Sequence, residues 1–360
     1  MVPKFPAVRP SFHTILKERV SAYFEQNNIS QTGGWRIFSK AFVLVSALIL
    51  LYVHLVFFTP AWYWAIPECM LMGLVISFIG FNVMHDGAHG SFSRYPMVNK
   101  VAAFSLNLLG GSSFMWNMKH NVIHHAFTNV HDVDDDLDAG LLLRLSEHQK
   151  RYKMHSFQHY YFWVLYAQLY LFWIFYSDYQ KYFTGKIGGI PLKKMKLNDH
   201  IIFWKSKILF LLIYIVIPII FSGWLAWLIG FITITWVAGV VLSIVFQLAH
   251  TVEHTHFPLP DDATGKMEDE WAIHQLKTTA NFATGNPVIS WMVGGLNFQV
   301  EHHLFPRISH IHYPAISKIV KQACEEYGVV YNEYAKMRDA VLSHMRYLRN
   351  LGKYDRLSFS

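Results

Sequence analysis

Long apolar runs alternate with polar segments along this chain, and the four longest runs come in two close pairs. The first pair is Ala41 to Thr59 and Trp62 to Met84, with only two residues between them. The second pair is Ile208 to Phe221 and Trp224 to Ala249, again with two residues between them. Because about twenty apolar residues let a helix cross a bilayer, the pattern predicts four transmembrane helices arranged as two hairpins.

Two weaker apolar runs lie between the pairs. Val101 to Trp116 includes several small polar residues, and Tyr160 to Tyr176 is mostly aromatic. Aromatic side chains favour the headgroup level of a membrane, so we expect both runs to form interfacial or half-buried helices. A full crossing by the second run is the weaker alternative.

The pattern predicts an all-α integral membrane protein with a helical cap outside the bilayer. The lead-in contains one amphipathic helix, around Phe12 to Gln26. The five segments are the polar lead-in (1–40), the first hairpin (41–84), a surface region (85–206), the second hairpin (207–249) and a polar, mostly helical C-terminal region (250–360).

Composition and charge agree with a membrane protein. Hydrophobic residues make up 53% of the chain and charged residues only 15%, which is too apolar for an ordinary soluble domain. No Lys or Arg occurs in residues 41–84 or 209–265. The net charge of +7 therefore lies on the segments outside the hairpins. By the positive-inside rule both termini are cytoplasmic, and the charge favours anionic lipid over nucleic acid as its partner.

Cysteine usage and the N-terminus add two expectations. The two cysteines, Cys69 and Cys324, lie in segments of different character, so we expect neither a disulfide nor a thiolate metal site. The first forty residues carry charges and lack the apolar core of a signal peptide.

Two histidine clusters follow the first hairpin. His85 and His89 are four residues apart, and His120 and His124 repeat that spacing with His125 beside them. On a helix, residues four apart lie on one face with their Cβ atoms about 5–6 Å apart. Each pair is therefore suited to bind one metal ion or two neighbouring ions.

A third cluster lies far along the chain, after the second hairpin. Gln299, His302 and His303 share one helical face, and Pro306 would end that helix just beyond them. His250 stands where the fourth span ends, at the same depth as His85, so we add it as a ligand; His254 is a weaker candidate. The predicted topology places all these residues on one side of the membrane.

Eight imidazoles are too many for one ion and suit two ions with an open position at each. Zinc prefers four-coordinate sites with fewer nitrogen ligands, whereas imidazole also suits iron and copper. A pair of non-haem irons beside a bilayer suggests oxidation of a lipid-soluble molecule. The predicted ligands are His85, His89, His120, His124, His125, His250, His302 and His303.

These histidine motifs resemble those of the membrane fatty acid desaturases. Residues 116–129 (WNMKHNVIHHAFTN) and 297–306 (NFQVEHHLFP) are especially similar to front-end desaturases of the delta-5, delta-6 and linoleoyl-CoA type. In that subgroup a glutamine replaces the first histidine of the third motif, as Gln299 does here. Trp271 and residues 278–281 also resemble the subgroup. The resemblance covers Phe12 to Tyr331, nearly the whole chain.

The resemblance implies a di-iron enzyme that uses O2 to place a cis double bond in a fatty acyl chain, carried by coenzyme A or by a lipid. It implies electrons from a small redox protein. The His-Pro-Gly-Gly motif of a fused cytochrome b5 domain is absent from the sequence. We therefore expect a separate ferredoxin or cytochrome as donor and a bacterial inner-membrane enzyme. Gln299 suggests delta-5 or delta-6 regiochemistry.

Acidic residues beside the ligands are candidates to orient the imidazoles through their free N–H groups. These candidates are Asp86, Glu253 and Glu301, while Gln299 is either a weak ligand or such a partner. The acidic run from Asp132 to Asp138 lacks the glycine and glutamate of an EF-hand loop. We expect it to be a solvated loop or a partner of the ligands.

Two other functions compete with desaturation. A di-iron hydroxylase would use the same irons to insert oxygen into a lipid. A histidine-rich metal transporter needs polar ligands near the bilayer midplane, whereas these clusters lie at the ends of the spans.

Overall fold

The computed structural model describes residues 3–137 and 139–354, and it is mostly helical. Helix α1 (Phe12–Gln26) has the predicted bounds, and its Ser11 side chain accepts a hydrogen bond from the Thr14 amide at the N-terminus. Helices α2 (Gly34–Phe58) and α3 (Trp62–His89) are both long and apolar enough to cross a membrane. Helix α2 begins before Ala41, where the predicted apolar run starts, because its first turns include the charged residues Arg36 and Lys40.

The described part of the region after α3 contains three longer helical segments and two short 3-10 helices, Asp135–Leu137 and Lys153–Phe157. Helix α4 (Pro96–Leu108) is followed by α5, an α-helical turn (Ser113–Trp116) that continues as a π-helix (Asn117–His124). Helix α6 is one continuous segment with a π-helical stretch in its middle, formed by Gln158–Phe172, Trp173–Ser177 and Asp178–Thr184. The second weaker apolar run lies inside α6.

The second pair of long apolar helices follows. Helices α7 (Leu197–Ser222) and α8 (Trp224–His250) are again long and apolar enough to span a membrane. They are joined at Gly223, whose φ of +81° lies in the region that favours glycine. The apolar run that predicted the third span begins at Ile208, whereas helix α7 begins at Leu197. The run missed the first turns of the helix because they contain polar residues.

Up to residue 354, the C-terminal region contains five α-helices, one 3-10 helix (His310–His312) and two of the four short strands. Strands β1 (Lys186–Ile187) and β2 (Ile190–Pro191) are antiparallel, and β3 (Asn281–Phe282) and β4 (Glu333–Tyr334) are parallel. The helices are α9 (Trp271–Thr278), α10 (Pro287–Met292), α11 (Gln299–Leu304), α12 (Tyr313–Tyr327) and α13 (Met337–Lys353).

Helix α8 packs between α3 and α6. Two of its close contacts depend on glycine. A Cβ on Gly73 of α3 would come within 2.6 Å of the Ile234 carbonyl oxygen, and a Cβ on Gly239 of α8 would collide with the Ala167 carbonyl oxygen. The two neighbouring helices therefore approach the backbone of α8 directly, which fixes the position of its C-terminal end.

Helix α6 is half-buried. Phe162, Tyr166 and Tyr170 face the protein, whereas Tyr160 and Phe172 are exposed. Its exposed apolar face and buried aromatic face match the expectation of a half-buried helix. It is not among the four candidate spans.

A second apolar core lies outside the spans and supports the third histidine motif. Phe12, Leu16, Val20 and Phe24 of α1 are buried at four-residue intervals. They join a cluster with apolar residues of α9, α11 and α12. Burial of apolar surface is the main stabilising term in folding, so the N-terminal helix helps to hold α11 in place.

An apolar cavity of about 430 Å³ lies among the four long helices. Its lining includes Tyr52 of α2, Cys69 of α3, Tyr214 of α7 and Thr235 of α8. It also reaches Pro60, in the link between α2 and α3.

Candidate metal centre

The histidine motifs converge from four separate parts of the chain. His85 and His89 occupy the last turn of α3, and His250 is the last residue of α8. The second motif lies on α5, where the backbone is π-helical rather than α-helical. The rings of His120 and His124 nevertheless stack, with centroids 5.1 Å apart. The third motif lies on α11, which ends at Leu304, before Pro306.

One group of imidazoles brings all three motifs together. The ligand atoms of His85, His89, His120 and His302 all lie within 4.8 Å of one another. The ring centroids of His85 and His302 are only 4.4 Å apart, although they are separated by most of the chain. These four side chains could bind one ion.

A second group lies beside the first. The ligand atoms of His124, His250 and His303 are also mutually within 4.8 Å. His125 stands between the groups, with its ring 4.6 Å from that of His302 and 4.4 Å from that of His303. The eight predicted histidines thus form one cluster with two adjoining lobes, which suits two neighbouring ions.

Burial favours the neutral, metal-binding form of most of these rings. His120, His125, His302 and His303 are buried, and burial lowers the pKa of each well below its usual value. His124 is the exception. Burial opposes its protonation, but the Asp134 carboxylate outweighs that effect and raises the pKa of His124.

Hydrogen bonds on the outer side of the cluster fix several rings. The Nδ1 of His124 lies 2.9 Å from Asp134 Oδ2, and the Nδ1 of His303 lies 2.8 Å from Gln275 Oε1. The Nδ1 of His250 faces the Thr278 carbonyl oxygen at 3.3 Å. Each acceptor selects the tautomer with a proton on Nδ1, which leaves Nε2 free to bind a metal.

Buried ring nitrogens without partners show that the cluster fits metal ions. In the described part of the chain, the Nε2 atoms of His85, His89, His124 and His302 are enclosed and have no hydrogen-bond partner. Unpaired buried polar atoms are costly. Two bound cations, one in each lobe, would satisfy them.

Gln299 belongs to the second lobe. Its Nε2 lies 3.1 Å from His250 Nε2 and 3.4 Å from His303 Nε2, while its Oε1 is enclosed without a partner. The amide therefore points at the position that an ion between His250 and His303 would take. Both roles considered for Gln299, weak ligand and neighbouring donor, are compatible with this position.

The three predicted carboxylates do not contact the clustered imidazoles. Asp86 accepts hydrogen bonds from Ser309 Oγ at 2.9 Å and from His310 Nδ1 at 3.0 Å, so it links α3 to the segment after α11. Glu253 pairs with Arg346 at 3.1 Å and is partly exposed. Among the described residues, neither carboxylate hydrogen-bonds to a clustered histidine, although the charge of Asp86 acts on the adjacent His85.

Glu301 also binds elsewhere. Its oxygens accept from Asn281 Nδ2 at 2.8 Å and from the Tyr331 hydroxyl at 2.9 Å. Burial raises the pKa of Glu301 to about 7. Because Asn281 belongs to β3, Glu301 ties α11 to the small parallel sheet rather than orienting a ring.

The acidic loop contacts a clustered histidine, which is one of the two roles that the sequence left open for it. Asp134 is buried against His124, and Asp136 lies 3.5 Å from the same Nδ1. Lys119 forms an ion pair with Asp136, and Lys181 pairs with Asp135 at 2.8 Å. The loop is thus a partner of the ligands rather than a solvated segment. Asp138 lies outside the described residues.

Sequence reasoning missed Gln275 and Thr278. They lie on α9, a short helix without a histidine motif, and no ligand spacing marks them as partners of the clustered histidines. The neighbouring Trp271 donates its indole N–H to the His125 carbonyl oxygen at 3.2 Å. Trp271 and Thr278 did have a signal, because Trp271 and residues 278–281 resemble front-end desaturases, whereas Gln275 had none.

The sequence pattern of the fatty acid desaturase family matches residues 64–335, which contain all eight clustered histidines. The chain belongs to the fatty acid desaturase family. This desaturase is therefore an oxidoreductase that acts on lipids, and the family assignment removes the metal-transporter alternative.

The named relatives show which kinds of desaturase the chain resembles. An sn-1 linoleoyl-lipid 6-desaturase from Synechocystis sp. is 34% identical over 351 residues, covering 95% of this chain and 96% of the relative. One of the same name from Arthrospira platensis is 33% identical over 341 residues, covering 94% and 92%. An acyl-lipid (8-3)-desaturase from Physcomitrium patens is 34% identical over 351 residues, covering 96% and 72%. These relatives confirm the resemblance to front-end desaturases.

Proposed function

We propose that this desaturase introduces a cis double bond into a membrane-held fatty acyl chain at a di-iron centre formed by the eight clustered histidines. The observation that carries the proposal is the set of enclosed, unpaired ring nitrogens that face one another across the two lobes. In the overall reaction, the acyl chain loses two hydrogens, O2 takes up two electrons and two protons from outside, and two waters leave. Bound iron supplies the oxygen activation.

The protein's own contribution is orientation and exclusion of water. Asp134, Gln275 and Thr278 hold three imidazoles in the tautomer that binds metal. The clustered rings are enclosed by α3, α5, α8 and α11. A rigid, dry site of this kind places the reacting carbons and limits side reactions.

We also propose that the four long helices cross the membrane as two hairpins, with the metal centre and both termini on the cytoplasmic side. The links at Pro60-Ala61 and Gly223 are short and carry no positive charge. His85, His89 and His250 lie at the ends of α3 and α8 that are opposite those links, and the other clustered histidines contact them. The charge distribution favours the cytoplasm for that end.

The names of the relatives support a proposal for the substrate carrier and the regiochemistry of this desaturase. Two of the named relatives are linoleoyl-lipid 6-desaturases, so we propose an acyl chain on a membrane lipid and a new double bond on the carboxyl side of an existing one. We propose a separate ferredoxin or cytochrome as the donor and a bacterial inner membrane as the location.

Expression in a host that supplies a competent electron donor and linoleoyl lipids tests the function. We expect a new fatty acid two mass units lighter than its precursor, detected by gas chromatography with mass spectrometry. A product sixteen mass units heavier would instead identify a hydroxylase.

The metal ligands are tested in the same host. His302→Ala removes a ring of the first lobe and His303→Ala a ring of the second, so we expect product to fall below detection and iron per protein to fall in both purified variants. His54→Ala is the control, because His54 contacts Glu68 far from the cluster and should keep product and iron. A fully active His302→Ala enzyme would remove His302 from the ligand set.

A further inference from the structure

Two half-buried aromatic side chains frame the metal centre. On α5, Trp116 stacks on His120 with centroids 4.4 Å apart and an interplanar angle of 25°. On α8, Phe246 lies 5.2 Å from the ring of His124 and 4.9 Å from that of His250. Because His120 and His124 also stack, the rings form a continuous row that ends in an aromatic side chain on each side.

Each aromatic residue stands four positions before a clustered histidine on its own helix. Trp116 precedes His120, and Phe246 precedes His250. Residues four apart share a helical face. Since α8 reaches the centre from the apolar span, Phe246 lies on the side of His250 from which a lipid chain would arrive.

The two rings are less enclosed than the histidines between them. Both Trp116 and Phe246 are half-buried, whereas His120, His124 and His250 are buried. An apolar substrate that approaches this row would meet the aromatic rings before it met the imidazoles.

The packing of α3 against α8 changes toward Phe246. At Gly73, a Cβ would come within 2.6 Å of the Ile234 carbonyl oxygen. About two turns nearer the centre, a Cβ on Gly80 would meet nothing closer than Leu242 Cδ2, at 3.8 Å. Gly80, Leu242 and Phe246 are all half-buried. The two helices therefore pack backbone to backbone at Gly73 and through the Leu242 side chain at Gly80. Leu242 and Phe246 are four residues apart, so they share the face of α8 that leads to the centre.

We propose that Trp116 and Phe246 form the wall against which the acyl chain lies, and that their size determines which carbon–carbon bond faces the metal centre. This inference rests on the proposed function. Flat, rigid apolar rings have few conformations to lose on contact with a flexible chain. Replacing either ring with a smaller side chain would let the acyl chain shift along its own length, while the metal-binding histidines stay in place.

The test compares Phe246→Leu and Trp116→Phe with the unaltered enzyme in the expression host. Double-bond positions are read by mass spectrometry of derivatised fatty acids, and iron per protein is measured in parallel. We expect full iron content with a changed product: a new positional isomer, or a shift of roughly tenfold in preference between two acyl chain lengths. A tenfold change is the low end of the discrimination between substrates that one methylene group gives in an apolar pocket.

Matched controls separate this role from general effects on the membrane protein. Phe172→Leu alters a phenylalanine on α6 that is 53% exposed, and Trp64→Phe alters a tryptophan on α3 that is 63% exposed. Both controls should keep the product profile of the unaltered enzyme.

Three results would overturn the proposal. The first is an unchanged isomer and chain-length profile in both variants. The second is loss of iron with an unchanged profile in the remaining product, which would show a structural role only. The third is complete inactivity of both variants with full iron content, which would show that the rings serve the reaction itself rather than the choice of bond. Failure of the proposed function would instead appear as no new fatty acid from the unaltered enzyme.

Discussion

Single side chains outside the histidine cluster hold its rings in one orientation and one tautomer. His303 has its Nδ1 proton held by Gln275 Oε1 at 2.8 Å, and Gln275 is fully buried. Without that acceptor the ring could rotate or change tautomer. Partners of this kind typically change metal affinity or activity by about 10–100-fold.

Replacing Gln275 with Leu should therefore weaken metal binding by about 10–100-fold while leaving the eight histidines in place. The measurement is iron retained by the purified protein during dialysis against a series of chelator concentrations. Gln322→Leu is the control, because Gln322 is exposed on α12 and bonds only to Glu326 among the described residues. Equal iron retention by both variants would show that Gln275 does not support His303.

At the scale of elements, the buried His344 of α13 bonds both to α6 and to the residue that follows α8. His344 Nδ1 lies 2.7 Å from the Thr251 carbonyl oxygen, just after α8 ends. Its Nε2 lies 2.8 Å from the Tyr166 hydroxyl of α6. The carbonyl requires a proton on Nδ1, and the hydroxyl then donates to Nε2. The ring is therefore held neutral, and burial lowers the pKa of His344 to about 4.

This contact predicts a pH-dependent part of the stability. The folded pKa lies below the unfolded value of about 6.5, so the unfolded state binds more protons in between. The contribution of His344 is fully present above about pH 6.5 and is lost as pH falls toward 4, up to about 3 kcal/mol. Thermal unfolding in detergent should show a shallower loss between pH 6.5 and 4.5 for His344→Gln than for the unaltered protein. Parallel curves for the two proteins would contradict the assignment.

The elements also show where sequence reasoning succeeds and where it fails. The four long helices and α1 were predictable because apolar periodicity is a local property of the chain. The histidines were predictable as a set because three motifs shared ligand spacing. The starts of α2 and α7 were not predictable from hydropathy, since polar turns extend both helices. Asp86, Glu253 and Glu301 lie next to histidine motifs in sequence, but the backbone turns their side chains toward other partners.

Gln275 and Thr278 show the opposite failure. They support His303 and His250 only because α9 packs against α11 and lies close to the end of α8. That proximity depends on contacts between distant parts of the chain. No spacing rule applied to residues 271–278 would identify it.

For the whole molecule, the arrangement of the spans makes a prediction about the two faces of the membrane. If the helices cross as two hairpins, Ala61 and Ser222 lie outside the cell, whereas Lys194, before α7, lies in the cytoplasm. The native cysteines, Cys69 and Cys324, are both buried, so introduced cysteines can be read against a low background. Labelling with a maleimide that does not cross membranes therefore reports the topology directly.

Ala61→Cys and Ser222→Cys should react in intact cells, and Lys194→Cys should react only after the membrane is permeabilised. The unaltered protein is the control for background labelling. Reaction of Lys194→Cys in intact cells, at a level equal to Ala61→Cys, would place the start of α7 outside. It would then separate His250 from a cytoplasmic electron donor. Because the eight rings contact one another as a single cluster, such a result would move the whole metal centre to the outer face and remove the proposed source of electrons.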